Sequence, residues 1–271
     1  VSDTTRLDVE LVRRGLARSR GHARALVEAG DVHVNGTEAA KISTPVRPGD
    51  DIDVREAGPG WVSRAAYKLV GAFDAFGGQG LTAAGKRCLD VGASTGGFTQ
   101  VLLHQGAAHV VALDVGHGQL VAELADDARV TERSRTTVRG LEPTDIGGPV
   151  DLLVADLSFI SLTLVLATFR ALVQDSGDAL VLVKPQFEVG RTRLGKGGIV
   201  RSQGDRAWAV TEVTRAAIEA GLHPKGLAES PIRGGEGNAE YLLWLTPRAE
   251  ESLGWEALVR TADLVSLKGA P

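Results

Sequence analysis

The chain has no methionine and a single cysteine among its 271 residues. The missing methionine carries no functional inference. One cysteine cannot close an internal disulfide, and Cys88 lies in the apolar run before Asp90, where a buried small hydrophobe is expected. An excess of positive charge is also missing: 30 basic residues face 34 acidic ones, net −4, so only local patches can argue for a polyanionic partner. No charged-then-apolar leader opens the chain. Residues 1–30 carry arginines throughout and never more than two consecutive large apolar residues, so a cytoplasmic location is expected. An uninterrupted apolar span is absent too. The best candidate, 152–169, contains Asp156, Ser158, Ser161 and Thr163, and a mid-span aspartate costs about 3 kcal/mol on insertion scales. That segment is expected to fold as strand, loop and helix, and neither a membrane partner nor a metal is expected.

The length suggests one core of about 200 residues plus a small module. From Leu7 to Val54 a helical pattern (Leu11, Val12, Leu16; then Ala23, Leu26, Val27) gives way to short β segments, with Asn35-Gly36 marking a tight hairpin. Arg13, Arg14, Arg18, Arg20 and Arg24 lie between Leu11 and Val27 with no acid among them, a candidate phosphate-facing surface. The stretches Arg6-Leu-Asp8, Leu11 to Arg20, Gly30-Asp-Val-His-Val-Asn-Gly36 and Pro48-Gly-Asp50 resemble the α-L RNA-binding domain of a small-subunit ribosomal protein and of pseudouridine synthases. The resemblance implies an RNA-binding module over residues 1–58. The breaker cluster Ala57-Gly-Pro-Gly60 then marks a joint, residues 59–62, before a larger domain at 63–271.

Past Gly60 the pattern alternates β and α: Arg87 to Val91, a helix from Gly97, His109 to Leu113, and onward to Leu245. This predicts a doubly wound α/β sheet. Its first strand runs into Asp90-Val-Gly-Ala-Ser-Thr-Gly-Gly-Phe98, a glycine turn comprising Gly92, Ala93, Ser94, Thr95, Gly96, Gly97 and Phe98. The second strand ends at Asp114, an acid about 20 residues beyond the turn, the usual partner of ribose hydroxyls. The turn lacks the Gly-x-Gly-x-x-Gly spacing that presents amides to a pyrophosphate, and no Gly-Lys-Ser/Thr follows for a triphosphate. Asp90 at the strand end suits an amine-bearing amino-acid tail, so S-adenosylmethionine is the expected cofactor, held by these residues with Asp156 nearby.

Charged residues also sit where a buried sheet should end. The runs Asp151-Leu-Leu-Val-Ala-Asp156 and Asp178-Ala-Leu-Val-Leu-Val-Lys184 read as strands buried on both faces, opening at their carboxyl ends onto the ligand crevice of such sheets. Lys68 precedes the first strand. Glu240 opens the run Tyr241 to Thr246 and reaches the same edge only if that strand is antiparallel to the others. Two lysines and two acids in one crevice would perturb one another, and Lys184, beside the second positive charge of Lys68, could act as a base on a weakly acidic hydroxyl. The set Lys68, Asp156, Lys184 and Glu240 resembles the Lys-Asp-Lys-Glu tetrad of the FtsJ-like RNA ribose 2′-O-methyltransferases. The surrounding words, Ser63-Arg-Ala-Ala-Tyr-Lys-Leu69, Asp90 to Thr99, Asp156-Leu-Ser-Phe-Ile-Ser-Leu162, Lys184-Pro-Gln-Phe-Glu188 and Gly237-Asn-Ala-Glu-Tyr241, resemble the TlyA family over essentially the whole chain.

That resemblance implies a Rossmann-like class I methyltransferase domain behind a small α+β RNA-binding domain. It further implies 2′-O-methylation of cytidine in 16S ribosomal RNA, 23S ribosomal RNA or both, with ribosomal RNA and ribosomal subunits as partners. Members of the family are often named hemolysins. The joint departs from the family: relatives read Arg-x-Trp-Val where this chain has Pro59-Gly60-Trp61-Val62, which puts any coupling through that arginine in doubt. A second basic stretch, Lys184, Arg191, Arg193, Lys196, Arg201 and Arg206 with interleaved glycines, reads as a mobile loop beside the crevice that clamps phosphate. The RNA-contact candidates are therefore Arg6, Arg13, Arg14, Arg18, Arg20 and Arg64 on one side, and Arg191, Arg193 and Lys196 on the other.

Overall fold

A computed structural model describes residues 4–17, 20–28, 30–54 and 60–261. Arg18 and the Pro59 end of the joint lie outside the described residues. The chain divides into two compact units, residues 1–66 and 67–271.

In the first unit β1 (Thr5–Arg6) leads into α1 (Leu7–Arg13), and α2 (Arg20–Glu28) follows. Leu7 and Leu11, one turn apart, share a face with Ala23, Leu26 and Val27 and close over Val32, Val46 and Ile52. Two strands, β2 (Val32–Val34) and β3 (Thr37–Glu38), are joined by Asn35-Gly36 with φ of 51° and 78°, the positive pair that a two-residue hairpin needs. After β4 (Pro45–Val46), which pairs antiparallel with β1, β5 (Ile52–Val54) completes a three-stranded sheet of order β3-β2-β5.

The second unit begins within α3 (Ala66–Phe76) and is built on seven strands: β6 (Arg87–Val91), β7 (His109–Leu113), β8 (Val130–Arg133), β9 (Val150–Ala155), β10 (Val173–Val183), β11 (His223–Glu229) and β12 (Tyr241–Thr246). Their order is β11-β12-β10-β9-β6-β7-β8. The intervening helices are α4 (Gly97–His104), α5 (Ala122–Ala125), α6 (Leu166–Leu172), α7 (Pro185–Glu188), α8 (Gln203–Glu219) and, last, α9 (Trp255–Thr261). Continuous apolar runs mark the central strands because both of their faces are covered. Leu89, Leu153, Val181 and Leu243 pack with Phe169 and Val213, and each such fully buried aliphatic contributes about 1.5–3 kcal/mol.

Topology places the crevice. Consecutive connections from β6 run outward through β7 to β8, and the chain then returns to lay β9 on the other side of β6. The carboxyl ends of β6 and β9 therefore flank the point where strand order reverses, where such sheets bind ligands. The antiparallel condition on Glu240 is met: β12 pairs antiparallel with β10, Tyr241 opposite Val183, which sets Glu240 beside Lys184. The 152–169 run breaks into β9, a loop, a short 3₁₀ turn and α6, and among the described residues no helix is long and apolar enough to cross a membrane.

Candidate active site

Each member of the charged tetrad is delivered by a different local device. Lys68 stands in the first turn of α3, where the helix dipole disfavours a cation and no acid of that turn offsets it. Asp156 follows the last residue of β9, its amide held by the Val91 carbonyl at 3.1 Å. Lys184 ends β10 in extended backbone, and Pro185 behind it stops the strand and starts α7. Glu240 precedes β12 and accepts the Ser230 amide at its carbonyl, 2.9 Å.

The side chains meet. Lys68 Nζ lies 3.2 Å from Asp156 Oδ2 and 2.7 Å from Glu240 Oε2, and Lys184 Nζ lies 2.6 Å from Asp156 Oδ1. All four side chains are 12 % exposed or less, so two ammonium groups and two carboxylates neutralise one another out of water. Burial pushes the Asp156 carboxyl up, but Lys68 and Lys184 together overcome it and hold the group below the usual carboxylate range. Lys184 Nζ also donates to Ser158 Oγ at 2.9 Å.

Beside the tetrad, over the carboxyl ends of the central strands, opens a cavity of ≈ 490 Å³ lined by Gly92, Asp114, Val115, Asp156, Ser158 and Phe159 among others. That size suits a ligand of nucleoside dimensions. Gly92 has φ of 88°, and a Cβ there would stand 2.7 Å from the Asp156 carbonyl oxygen, so the switch point closes only around glycine. Asp114 accepts the amides of Ser94 (2.8 Å) and Gly116 (2.7 Å), which fixes its carboxylate at the end of β7 while lone pairs stay free for hydroxyl donors. Asp90, just before the cavity-lining Val91 and Gly92, is wholly buried. Thr99 Oγ1 donates to its Oδ2 at 2.7 Å, while Oδ1 is buried with no hydrogen-bond partner. Burial pushes this carboxyl up to about 7; the Thr99 bond opposes the rise and the charge of Asp156 adds to it. A buried acceptor whose lone pairs lack a donor suits a cationic N–H group.

Other residues of the glycine turn have different surroundings. Gly96 makes the left-handed entry to α4 with φ of 102°, and the space over it is taken by Leu120 and Leu124. Phe98 is packed in the core and Gly97 is buried, while Thr95 accepts the Val121 amide. Ala93, Thr95, Gly96, Gly97 and Phe98 are not among the residues that line the large cavity. Its far wall is Thr136, Thr137 and Val138, beyond β8, which no motif marked. The loop after β9 lies within the Asp156-to-Leu162 stretch that carries the family resemblance, although of its residues only Asp156 is given a role there. There Phe159 is 91 % exposed with φ of 64° and its ring centroid 5.2 Å from that of Phe187. Glu188 accepts from Ser161 Oγ (2.6 Å) and the Leu162 amide (2.9 Å), fastening the loop to α7.

The arginines of the first unit are less free than their spacing suggested. The acid-free window ends just short of Asp8 and Glu10, two buried carboxylates on α1. Asp8 holds Arg6 at 3.0 Å and Arg20 at 2.7 Å; Glu10 holds Arg13 at 2.6 Å and Arg14 at 2.7 Å. Hydrogen bonds from these arginines bring both carboxyls down to about 2. Arg14 additionally donates to the carbonyls of Asp50 and Pro48 and is the least exposed, whereas Arg6, Arg13 and Arg20 keep about half or more of their side chains in solvent. Arg64 is half-buried.

The second basic stretch splits. Lys184 belongs to the tetrad, and Arg206 turns inward to cap the carbonyls of Val200 and Arg201. Arg193 lies over the Trp208 ring at 4.3 Å and 3.6 Å from Asp205, while Arg191 and Lys196 are exposed. The segment is no free arm: buried Asn238 accepts the Val200 amide at 2.9 Å and donates to the Gly198 carbonyl at 3.0 Å, tying it to the loop that carries Glu240. Among the described residues no group of His, Cys, Asp and Glu could hold a metal ion.

Comparison with known proteins agrees with this architecture. Residues 61–246 match the FtsJ-like methyltransferase family and residues 5–52 match the S4 domain. The chain is 51% identical over 254 residues, 93% of its length and 94% of the other, to a Mycobacterium tuberculosis protein named 16S/23S rRNA (cytidine-2′-O)-methyltransferase TlyA. It is 37% identical to hemolysin A of Brachyspira hyodysenteriae, covering 88% of this chain and 98% of that one. A solved structure of a Streptococcus thermophilus protein named as a hemolysin superposes with a TM-score of 0.74 at 35% identity, covering 98% of this chain and 96% of the other. With both domain families matched in order and half its residues shared along nearly its full length, the chain belongs to the TlyA group of FtsJ-like methyltransferases.

Proposed function

We propose that the protein methylates ribose 2′-hydroxyls of ribosomal RNA, on cytidine in 16S RNA, 23S RNA or both, using S-adenosylmethionine and the tetrad Lys68, Asp156, Lys184 and Glu240. The observation that carries this reading is the convergence of the tetrad, from four separate elements, on the edge of the cavity at the strand-order reversal. The residues present fit the cofactor. Asp90 Oδ1 offers an unpaired buried acceptor to its ammonium, Asp114 offers lone pairs to its ribose hydroxyls, and the cavity of ≈ 490 Å³ accommodates its nucleoside. When bound, S-adenosylmethionine supplies a sulfonium methyl group.

The rest of the work falls to the chain. A ribose hydroxyl is a weak nucleophile, so it needs alignment and a route for its proton. Lys68, locked between Asp156 and Glu240, fixes the Asp156 carboxylate, and that carboxylate holds Lys184 at the end of β10. Lys184 receives the proton. Residues 1–58 serve as the RNA-docking module, with the exposed faces of Arg6, Arg13 and Arg20, with Arg18 and with Arg64; Arg191, Arg193 and Lys196 contact phosphate near the site. The name of the Mycobacterium tuberculosis relative supports cytidine and both RNAs. Incubating the protein with isolated 30S and 50S subunits and methyl-labelled S-adenosylmethionine, then digesting the RNA to nucleosides, tests the reading. Labelled 2′-O-methylcytidine is the expected product, and label on a base, or none in either RNA, overturns it.

A further inference from the structure

Lys184 is the obvious proton acceptor, yet it is almost wholly enclosed by its neighbours. The residue is only 7 % exposed, and it is not among those that line the cavity. Ser158 is. Its side chain stands at the cavity wall in an exposed stretch of the loop after β9. The Lys184 amine donates to Ser158 Oγ at 2.9 Å and faces Asp156 Oδ1 at 2.6 Å, so the serine and the carboxylate together hold it. The serine is held in place from two sides. Asp156, two residues earlier, is fixed by Lys68, and Ser161 and Leu162, just beyond, are clamped by Glu188.

We infer that Ser158 is a catalytic residue: its hydroxyl accepts the hydrogen bond of the ribose 2′-hydroxyl and relays the proton to Lys184 Nζ. This deepens the methyltransferase reading and rests on it. A hydroxyl can do this because it accepts at one lone pair while donating its own hydrogen. The chemistry balances. The bond from ribose O2′ to the methyl carbon forms as the carbon–sulfur bond breaks, and that electron pair stays on sulfur. Lys184, an ammonium in its contacts with Asp156 and Ser158, first gives a proton to solvent; the O2′ proton then passes to Ser158 Oγ and the Ser158 proton to the freed Lys184 amine, which restores the ammonium. Asp156 and Lys68 hold the geometry and exchange no proton.

The test measures single-turnover methyl transfer to ribosomal RNA at saturating S-adenosylmethionine, together with the dissociation constants of cofactor and RNA. Ser158→Ala should lose about 100-fold or more in rate, within the range of general-base effects, with both constants unchanged. Ser158→Thr, which keeps the hydroxyl, should stay within a few-fold of wild type. Because a serial relay fails as one unit, the Ser158→Ala/Lys184→Ala double variant should be no slower than Lys184→Ala alone. Near wild-type rates for Ser158→Ala, equal losses for Ala and Thr, or multiplying losses in the double variant each overturn the relay while leaving the methyltransferase intact. A wild-type protein that forms no 2′-O-methylcytidine sinks both.

Discussion

Asp90 makes cofactor binding a proton-linked event whose size can be worked out. Its carboxyl is wholly buried, with the charges of Asp156 and Asp114 acting on it and only Thr99 donating to it, and it sits at about 7 instead of the ordinary 3.8. A carboxyl raised by folding keeps its proton longer in the native state than in the unfolded chain. The ligand-free fold therefore loses stability as pH rises from about 4 to 7, by about 4 kcal/mol once Asp90 is ionised. An ammonium placed at the unpaired Oδ1 favours the ionised form, so binding expels the proton. Henderson–Hasselbalch arithmetic about a midpoint near 7 gives release of about 0.9 proton at pH 6, 0.5 at pH 7 and 0.1 at pH 8, with affinity about 10-fold tighter at pH 8 than at pH 6. Titration calorimetry of S-adenosylmethionine in buffers of differing ionisation enthalpy reads the released proton directly. Asp90→Asn should abolish the release, weaken binding at pH 8 and raise the melting temperature of the ligand-free protein there. A wild-type affinity flat between pH 6 and 8 with no proton release would refute the reasoning.

Lys184→Ala should lower single-turnover methyl transfer about 100-fold to 10,000-fold while the cofactor dissociation constant stays put; Lys184→Arg should not rescue, since a guanidinium keeps its proton, and a near wild-type rate for it would make Lys184 an electrostatic holder. In the first unit, Arg14→Ala should act on stability, costing roughly 1–3 kcal/mol in thermal unfolding through the lost bonds to Glu10 and to the carbonyls of Asp50 and Pro48. Replacing Arg13 and Arg20 by alanine should instead weaken ribosomal RNA binding and flatten its log–log salt dependence by roughly 1.5; an unchanged slope would mean these arginines only face solvent. Asn238→Ala should free the 191–201 segment and speed tryptic cleavage there several-fold, and unchanged cleavage would show that the two hydrogen bonds of Asn238 are not what holds it.

The sequence by itself determined whatever is local. Arg87 to Val91 and His109 to Leu113 are strands because continuous apolar runs fit only positions covered on both faces, and Asn35-Gly36 turns a hairpin because its backbone angles demand those residue types. The glycine turn after β6 and the acid closing β7 were legible for the same reason, as were the charges that cap β9 and β10. Tertiary structure decided which of these meet. Glu240 reaches Lys68 only because β12 runs antiparallel beside β10, and residue pattern reports burial along a strand but neither its direction nor its neighbours. The arginine spacing in the first unit concealed Asp8 and Glu10, since an acid's influence depends on the helix face it shares and not on distance along the chain. Thr136 to Val138 carry no periodicity or motif at all, and they become a cavity wall through the path of the loop beyond β8. Ser158 lay inside a motif without standing out, because a serine acquires chemistry from what it touches, and Lys184 lies 26 residues away in sequence.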